Sequence, residues 1–254
     1  MSTHRRGWLK GAGAAMAGLW ASACDRLNEN PGVTRVLESA EGLTLRAQRL
    51  VMDRKALARE FAPADISADF RANGSIDPDD PEYLAQKAGG FAGYRLAVGG
   101  LVERPLSLSL AELRDQPART QITRHDCVEG WSSIGKWTGA RLGPLLDRAG
   151  LKPNARYVVF HCADNLGGGP GGRYYESIDL VDAYHPQTIL AYDMNDAPLP
   201  VRHGAPLRLR VERQLGYKHA KYVMRIEVVE DFAHIGGGQG GFWEDRGYAW
   251  YAGI

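Results

Sequence analysis

The sequence predicts an α+β fold of mixed sheets with short helices, and three observations carry that prediction. Short segments that alternate apolar and polar residues recur from Tyr94 onward, each bounded by turn residues. Between them lie a few helical stretches of only two or three turns, with capping residues at their ends. Hydrophobic residues make up 44% of the chain and charged residues 24%, a balance that suits a packed core rather than disorder. No internal repeat is present.

Taken in order, the mixed and charged segment Val36 to Glu60 is expected to hold a strand and a helix. Residues 61–90 carry Asn73-Gly74 and Asp77-Pro78-Asp79-Asp80-Pro81 and read as an ordered loop, the kind of long connection that often serves function. Tyr94 to Val98 alternates and stops at Gly99-Gly100, as a strand and turn do. Leu106 to Leu110 leads into a short helix that Ser109 can cap. Gln121 to Arg124 is a strand that delivers Cys127. Leu142 to Ala149 is a helix closed by Gly150. Tyr157 to Phe160 is a strand, and Ser177 to Ala183 begins a helix. Leu207, Leu209 and Val211 share one face of a further strand, with Arg208 and Arg210 on the other. Tyr222 to Val229 is the last strand.

The expected organisation is a removable leader at 1–23, an N-terminal extension at 24–60 and one domain at 61–254. The leader sets Arg5-Arg6 before a Gly/Ala-rich apolar stretch too short to span a bilayer. That layout resembles a twin-arginine export signal, which implies a periplasmic protein that folds before export. Two readings of Cys24 stand: a lipidated cysteine that anchors the protein to a membrane, or a cysteine with no lipid beside an ordinary cleavage site after Ala21-Ser22-Ala23. The full chain has formal net charge +1; without residues 1–23 it has 28 basic and 30 acidic residues. Neither balance indicates a nucleic-acid partner. The three cysteines, Cys24, Cys127 and Cys162, form no Cys-x-x-Cys, haem or iron–sulfur spacing.

Chemistry concentrates in two runs. The first is Thr123-Arg124-His125-Asp126-Cys127-Val128-Glu129-Gly130-Trp131-Ser132, followed by Lys136-Trp137-Thr138-Gly139. Basic neighbours lower a thiol pKa, and a thiolate is a soft metal ligand or a nucleophile. A lone cysteine is also commonly a buried structural residue. The second is Leu199-Pro200-Val201-Arg202-His203-Gly204-Ala205-Pro206-Leu207-Arg208, continued by Gly216-Tyr217-Lys218-His219-Ala220-Lys221. Eight Arg, Lys or His and one acid, Glu212, lie between Arg202 and Lys221. Such a set suits a phosphate, and equally suits a solvated basic face.

Together these runs resemble the molybdopterin domain of the sulfite oxidase family. The likeness is closer to its bacterial branch, which includes the catalytic subunit of the periplasmic methionine sulfoxide reductase. It covers about residues 65–250. It implies a sulfite oxidase-type fold and a Mo-molybdopterin cofactor whose one protein ligand to molybdenum is Cys127. It places His203, Arg208, Lys218, His219 and Lys221 against the pterin and its phosphate. In Phe242-Trp243-Glu244-Asp245-Arg246-Gly247-Tyr248, Tyr248 takes the place of a tyrosine aimed at the metal's oxygen, or else belongs to an aromatic plug over the core. In Asp69-Phe70-Arg71-Ala72-Asn73, Arg71 or Asn73 takes the place of an arginine for the substrate anion, with the register between them open. The Gly236 to Gly241 run reads as a flexible loop at the pocket mouth. His125, His161 and Cys162 are second-layer or core residues.

The resemblance further implies oxygen-atom transfer to or from a small sulfur-containing or S-oxide substrate. A separate redox partner, a soluble cytochrome or a membrane b-type cytochrome, then exchanges electrons with the enzyme. The family's dimerisation and haem domains have no counterpart, so a monomer is expected. Two other classes remain open on residues alone: a metal-independent thiol enzyme using Cys127 with His125 or His203, and a non-catalytic module that holds an anion on the basic run.

Overall fold

The computed structural model describes residues 31–167 and 170–254, so the leader and Cys24 lie outside the described residues. The chain divides into two compact units, residues 1–52 and 53–254. In the first, α1 (Pro31–Val51) is a single helix. The strand expected between Val36 and Glu60 is absent among the described residues; Glu60 instead makes one bridge with Thr123. No described helix is long and apolar enough to cross a membrane.

The second unit is an α+β body on two sheets. The first sheet holds β1 (Arg95–Gly100), β2 (Leu106–Ser109), β5 (Tyr157–Asn165), β6 (Arg173–Asp179) and β10 (Val223–Val229), in the order β2-β1-β10-β5-β6. The second holds β3 (Ala118–Asp126), β4 (Ser132–Arg141), β7 (Ile189–Met194) and β8 (Ala197–Pro198) in sequence order, with β9 (Arg208–Arg210) paired to β7. Four short helices join them: α2 (Pro81–Ala88), α3 (Leu110–Arg114), α4 (Leu142–Ala149) and α5 (Leu180–Ala183).

Local chemistry explains the boundaries. Asp80 caps α2 by accepting from the Tyr83 N–H at 2.9 Å, with Pro81 at the first helical position. This helix and a 3-10 turn at Pro63–Asp65 interrupt the loop expected over 61–90. Ser109 and Glu112 form a reciprocal capping box at the start of α3. Helix α4 buries Leu142, Leu145, Leu146 and Ala149, the spacing of one helical face, and ends at Gly150 with φ 70°. Each of those leucines contributes about 1.5–3 kcal/mol by leaving water.

Two expected elements shift. Ser177 to Asp179 are the last residues of β6 rather than helix, and α5 starts at Leu180, capped by Asp179 through the Asp182 N–H at 2.8 Å. Strand β5 continues to Asn165, past the expected end at Phe160. In β6, a run of buried side chains hides the period-2 signal, because both of its faces are covered.

The main core lies against the first sheet and α4, with Leu96, Val98, Val158, Phe160, Ile226 and Val228 among its members. A smaller cluster of Phe70, Trp137, Ile189, Ala191, Met194 and Leu199 fills the second sheet.

Candidate functional site

Strands β3 and β4 form a hairpin in register from Ala118↔Ala140 to Asp126↔Ser132. The connecting turn begins at Cys127. Its N–H donates to Trp131 O at 2.9 Å, and the Gly130 N–H donates back to Cys127 O at 3.0 Å. Gly130 has φ 84°, which a residue with a side chain rarely adopts. The thiol is thus presented at a hairpin tip, half-buried, opening into a cavity of about 140 Å³. Asn73, Glu129, Asp164, Gly216, His219, Lys221, Trp243 and Tyr248 line that cavity with it.

The electrostatics differ from the expectation of a basic neighbourhood. Arg124 turns to Asp126 at 2.8 Å, and His125 is fully buried. Burial raises the Cys127 thiol pKa, against hydrogen bonds from the backbone of Glu129 and Val128. The free thiol therefore stays protonated, and a metal would have to displace that proton to bind.

Behind the cavity the basic run is sorted by its partners. Arg210 is fork-paired to Glu212, with contacts of 2.9 and 2.6 Å. Arg213 pairs with Asp182 at 3.1 Å. Lys218 sits between Glu176 and Glu244 at 2.5 and 2.6 Å. Arg202 is exposed. Arg208 and Lys221 remain. Arg208 donates to His203 O and His219 O, and Lys221 to Ser75 O and Arg202 O. Neither meets a carboxylate at ion-pair distance among the described residues. Burial, then the neighbouring Arg210, pushes Arg208 down to about 9. Burial, then Arg208, pushes Lys221 down to about 7.

Several buried polar atoms in this layer lack a protein partner: Arg208 Nε, His219 Nδ1, His125 Nε2 and Asp164 Oδ1. His219 places Nε2 against Gln214 O at 3.0 Å, so that nitrogen carries the proton and Nδ1 is a bare acceptor. His125 accepts from Arg210 at Nδ1, so its proton is on Nε2. Gly216 is required beside it, because a Cβ there would lie 2.5 Å from His125 Nε2. Gly204, with φ 114°, likewise lets the backbone pass where a Cβ would meet Lys221 Cβ at 2.8 Å.

The structure thus brings Cys127, Asn73, His219, Lys221 and Tyr248 to one cavity, with Arg208 in the layer behind. His203 packs edge-on to Phe70 at 5.5 Å, and burial followed by Arg208 pushes its pKa down to about 4. Two residues stand apart. Arg71 is exposed, 5.4 Å over the Trp131 ring and 4.0 Å from Glu129, outside the cavity lining. Lys218 turns its ammonium away from the cavity, because two buried carboxylates hold it. The Gly236 to Gly241 run does not line this cavity either. The Gly237 and Gln239 N–H groups donate to Asp245, which fixes that run beside a separate cleft. Sequence reasoning missed Asp164: nothing around Ala163-Asp164-Asn165 distinguishes a site acid from a turn residue. For the thiol-enzyme alternative, no histidine nitrogen is hydrogen-bonded to Cys127 among the described residues.

A mixed first sheet and an antiparallel second sheet, with a hairpin cysteine beside buried cations that meet no carboxylate among the described residues, form a domain suited to an anionic cofactor. The chain belongs to the family described as the oxidoreductase molybdopterin binding domain, which matches residues 85–234, more than half of its length. It is 43% identical over 162 residues to subunit YedZ1 of Azospira oryzae, provisionally named as a protein-methionine-sulfoxide reductase subunit. That match covers 64% of this chain and 56% of the relative. It is 38% identical over 162 residues to the protein-methionine-sulfoxide reductase catalytic subunit MsrP of Xanthomonas axonopodis, covering 61% of this chain and 50% of the relative. The chain therefore spans about half the length of the curated relatives it matches. Among solved structures it is similar to the sulfane dehydrogenase SoxCD of Paracoccus pantotrophus, with TM-score 0.49, 24% identity, and coverage of 55% of this chain and 39% of that one.

The cofactor of this domain is Mo-molybdopterin, and the residues present fit it. The group is anionic, and Arg208 and Lys221 are buried cations without a carboxylate partner. Its pterin carries both donors and acceptors, and the unpartnered atoms include a donor on Arg208 and acceptors on Asp164 and His219.

One consequence is measurable without the cofactor. An anion bound against Lys221 favours its charged form and raises its pKa from about 7. Binding then takes up a proton above neutrality and weakens as pH rises. Sulfate affinity of the cofactor-free chain, followed by calorimetry at constant ionic strength, is expected to fall by about tenfold or more from about pH 6 to about pH 8.5. An affinity independent of pH would place the anion away from Lys221.

Proposed function

We propose that this chain is an exported oxygen-atom-transfer enzyme that reduces an S-oxide at a molybdenum ligated by Cys127, drawing electrons from a separate redox protein. The observation that carries the reading is the single cavity shared by a hairpin thiol, Cys127, and a buried lysine without a carboxylate partner, Lys221. The names of the relatives favour the reductive direction and a methionine sulfoxide substrate.

When bound, the cofactor supplies a two-electron metal centre that accepts or gives up an oxygen atom. The chain's own residues do the rest. Cys127, held by its hairpin turn, gives a soft sulfur ligand once its proton leaves. Arg208, His219, Lys221, His203 and Asn73 would hold the pterin and its phosphate, and Asp164 would offer it an acceptor. Tyr248 at the mouth donates its phenol proton to the substrate oxygen and orients it. Trp243, stacked on Tyr248 with ring centroids 5.3 Å apart, keeps that phenol in place and excludes water. Reduction of a sulfoxide consumes two electrons and two protons and releases a thioether and water. In this reading a separate redox protein, a soluble cytochrome or a membrane b-type cytochrome, supplies the electrons. Arg5-Arg6 supports export by the twin-arginine route, and a lipid on Cys24 would keep the enzyme beside a membrane partner.

The test is molybdenum per chain, by elemental analysis of protein made with its own leader and added molybdate, together with oxidation of reduced viologen by methionine sulfoxide. Near-stoichiometric metal with sulfoxide-dependent oxidation is expected. Folded, mature protein without molybdenum would overturn the proposal. Metal without sulfoxide turnover would reverse the proposed direction and move the substrate to a reduced sulfur compound.

A further inference from the structure

A buried charged group that borders the cavity and that the proposed chemistry leaves unused is Lys218. Its side chain is 1% exposed, and those of its partners Glu176 and Glu244 are 0% and 1% exposed. Burial works against the ammonium charge, but the two carboxylates outweigh it and raise the Lys218 pKa. Burial, then Glu244, pushes Glu176 well above the usual carboxylate range. Three ionisable groups are thus taken out of water together, and burial penalises the charged form of each.

The cluster joins three segments that border the Cys127 cavity. Lys218 ends the 3-10 turn Gly216–Lys218, whose Gly216 and Tyr217 line the cavity, and it precedes His219, which also lines it. Glu176 lies in β6, two residues after the cavity residue Tyr174, and bridges to Gly241. Glu244 starts the turn Glu244–Arg246, immediately after Trp243. From there the chain returns at once to the cavity. The Tyr248 N–H donates to Trp243 O at 3.1 Å, and Tyr248 stacks on Trp243 and meets Tyr217 edge-on at 5.2 Å. The Tyr217 hydroxyl closes the circuit by donating to Ala249 O at 2.6 Å. The packing leaves no slack: a Cβ on Gly241 would lie 2.0 Å from Glu244 Oε2 and 2.8 Å from Glu176 Oε1.

We propose that Lys218 is a positioning residue rather than a holder of the cofactor phosphate: with Glu176 and Glu244 it clamps the Trp243–Tyr248 wall against the cavity. The clamp acts on substrate through Tyr248. This rests on the reading that the Cys127 cavity receives the substrate. Lysine suits the role because its single ammonium can contact two carboxylates on different segments at once.

The experiment uses the holoenzyme and two variants. Lys218→Met leaves two buried acids facing each other and is open to misfolding. The triple variant Lys218→Met, Glu176→Gln, Glu244→Gln removes all three charges in similar volume and keeps the fold testable. Each is made alone and with Tyr248→Ala. Molybdenum per chain and KM for methionine sulfoxide, with reduced viologen as donor, are measured for every form. Molybdenum is expected to stay at the wild-type level. KM is expected to rise by about tenfold with kcat little changed, the pattern of a lost binding contact. In the Tyr248→Ala background the same changes should leave KM where Tyr248→Ala alone puts it, because residues acting in series are not additive. Loss of molybdenum from folded triple variant would overturn the proposal and return Lys218 to the cofactor. So would KM effects that simply add to those of Tyr248→Ala, which would mark the cluster as general scaffolding. If wild type itself lacks molybdenum or sulfoxide turnover, the proposed function fails first, and that outcome is distinct because it precedes any variant.

Discussion

Cys127→Ser is expected to keep most of the pterin yet lose at least about 10³-fold in kcat, a barrier increase of about 4 kcal/mol. The two halves of that result have separate physical origins. Retention follows because the residues suited to the cofactor's anionic parts, Arg208, Lys221 and His219, lie in other segments and are untouched. The loss follows from the ligand. Serine occupies nearly the same volume at the hairpin tip, so the turn made by the Cys127 and Gly130 N–H groups survives. Its hydroxyl is a hard donor and gives up its proton far less readily than a thiol. Even the thiol is held protonated here by burial, so ligation depends on the affinity of sulfur for the metal. Turnover of reduced viologen by methionine sulfoxide, normalised to molybdenum, measures the effect. A variant within about tenfold of wild type, a barrier change of under about 1.4 kcal/mol, would remove Cys127 from the metal.

The fold class was legible because alternation and caps are local. Ser109, Gly150 and the strand from Gln121 are all where local rules place them. The parts that shifted are those decided by tertiary context. In β6, the burial of Tyr174, Glu176 and Ile178 together with Tyr175 and Ser177 erased the alternation, because the 231–250 segment covers its second face. The candidate site was legible in its types and unreadable in its pairings. Eight basic residues between Arg202 and Lys221 look equivalent in sequence. Their carboxylate partners sit at Asp182, Glu176 and Glu244, dozens of residues away, or two residues away at Glu212. Only folding distinguishes Arg208 and Lys221, which lack such partners, from Lys218, which has two. Asp164 was invisible for the same reason. Its position beside Lys221 and Gly74 depends on β5 running past Phe160, an extension with no local signal. Arg71 and Asn73 illustrate the register limit. They are two residues apart, yet Asn73 lines the cavity and Arg71 faces Glu129 and solvent.

The largest stability effect is expected at Glu212. Its side chain and that of Arg210 are both 0% exposed, and the guanidinium donates to both carboxylate oxygens. Gln121 Nε2 also donates to Glu212 Oε1 at 2.8 Å, so one acid satisfies two chain segments. Glu212→Ala strands a charged guanidinium in the interior between Trp137, 4.5 Å away, and His125. Removing one partner of such a pair costs about 3–5 kcal/mol. For a domain of this size that lowers the unfolding midpoint by about 6–20 °C, readable by circular dichroism. The double variant Arg210→Met, Glu212→Leu removes both charges together and should recover most of the loss, because the penalty belongs to the unpaired charge rather than to a missing attraction. A midpoint lowered by less than about 3 °C in Glu212→Ala would mean that water reaches Arg210 and that the site layer is wetter than its packing implies. The double variant also separates stability from chemistry. It restores the fold but leaves His125 Nδ1 without its donor, so the imidazole is free to move its proton from Nε2 to Nδ1. Stability regained with turnover still impaired would therefore give the Arg210–Glu212 pair a second role, that of fixing the proton of the histidine that lies under Gly216 and the cavity floor.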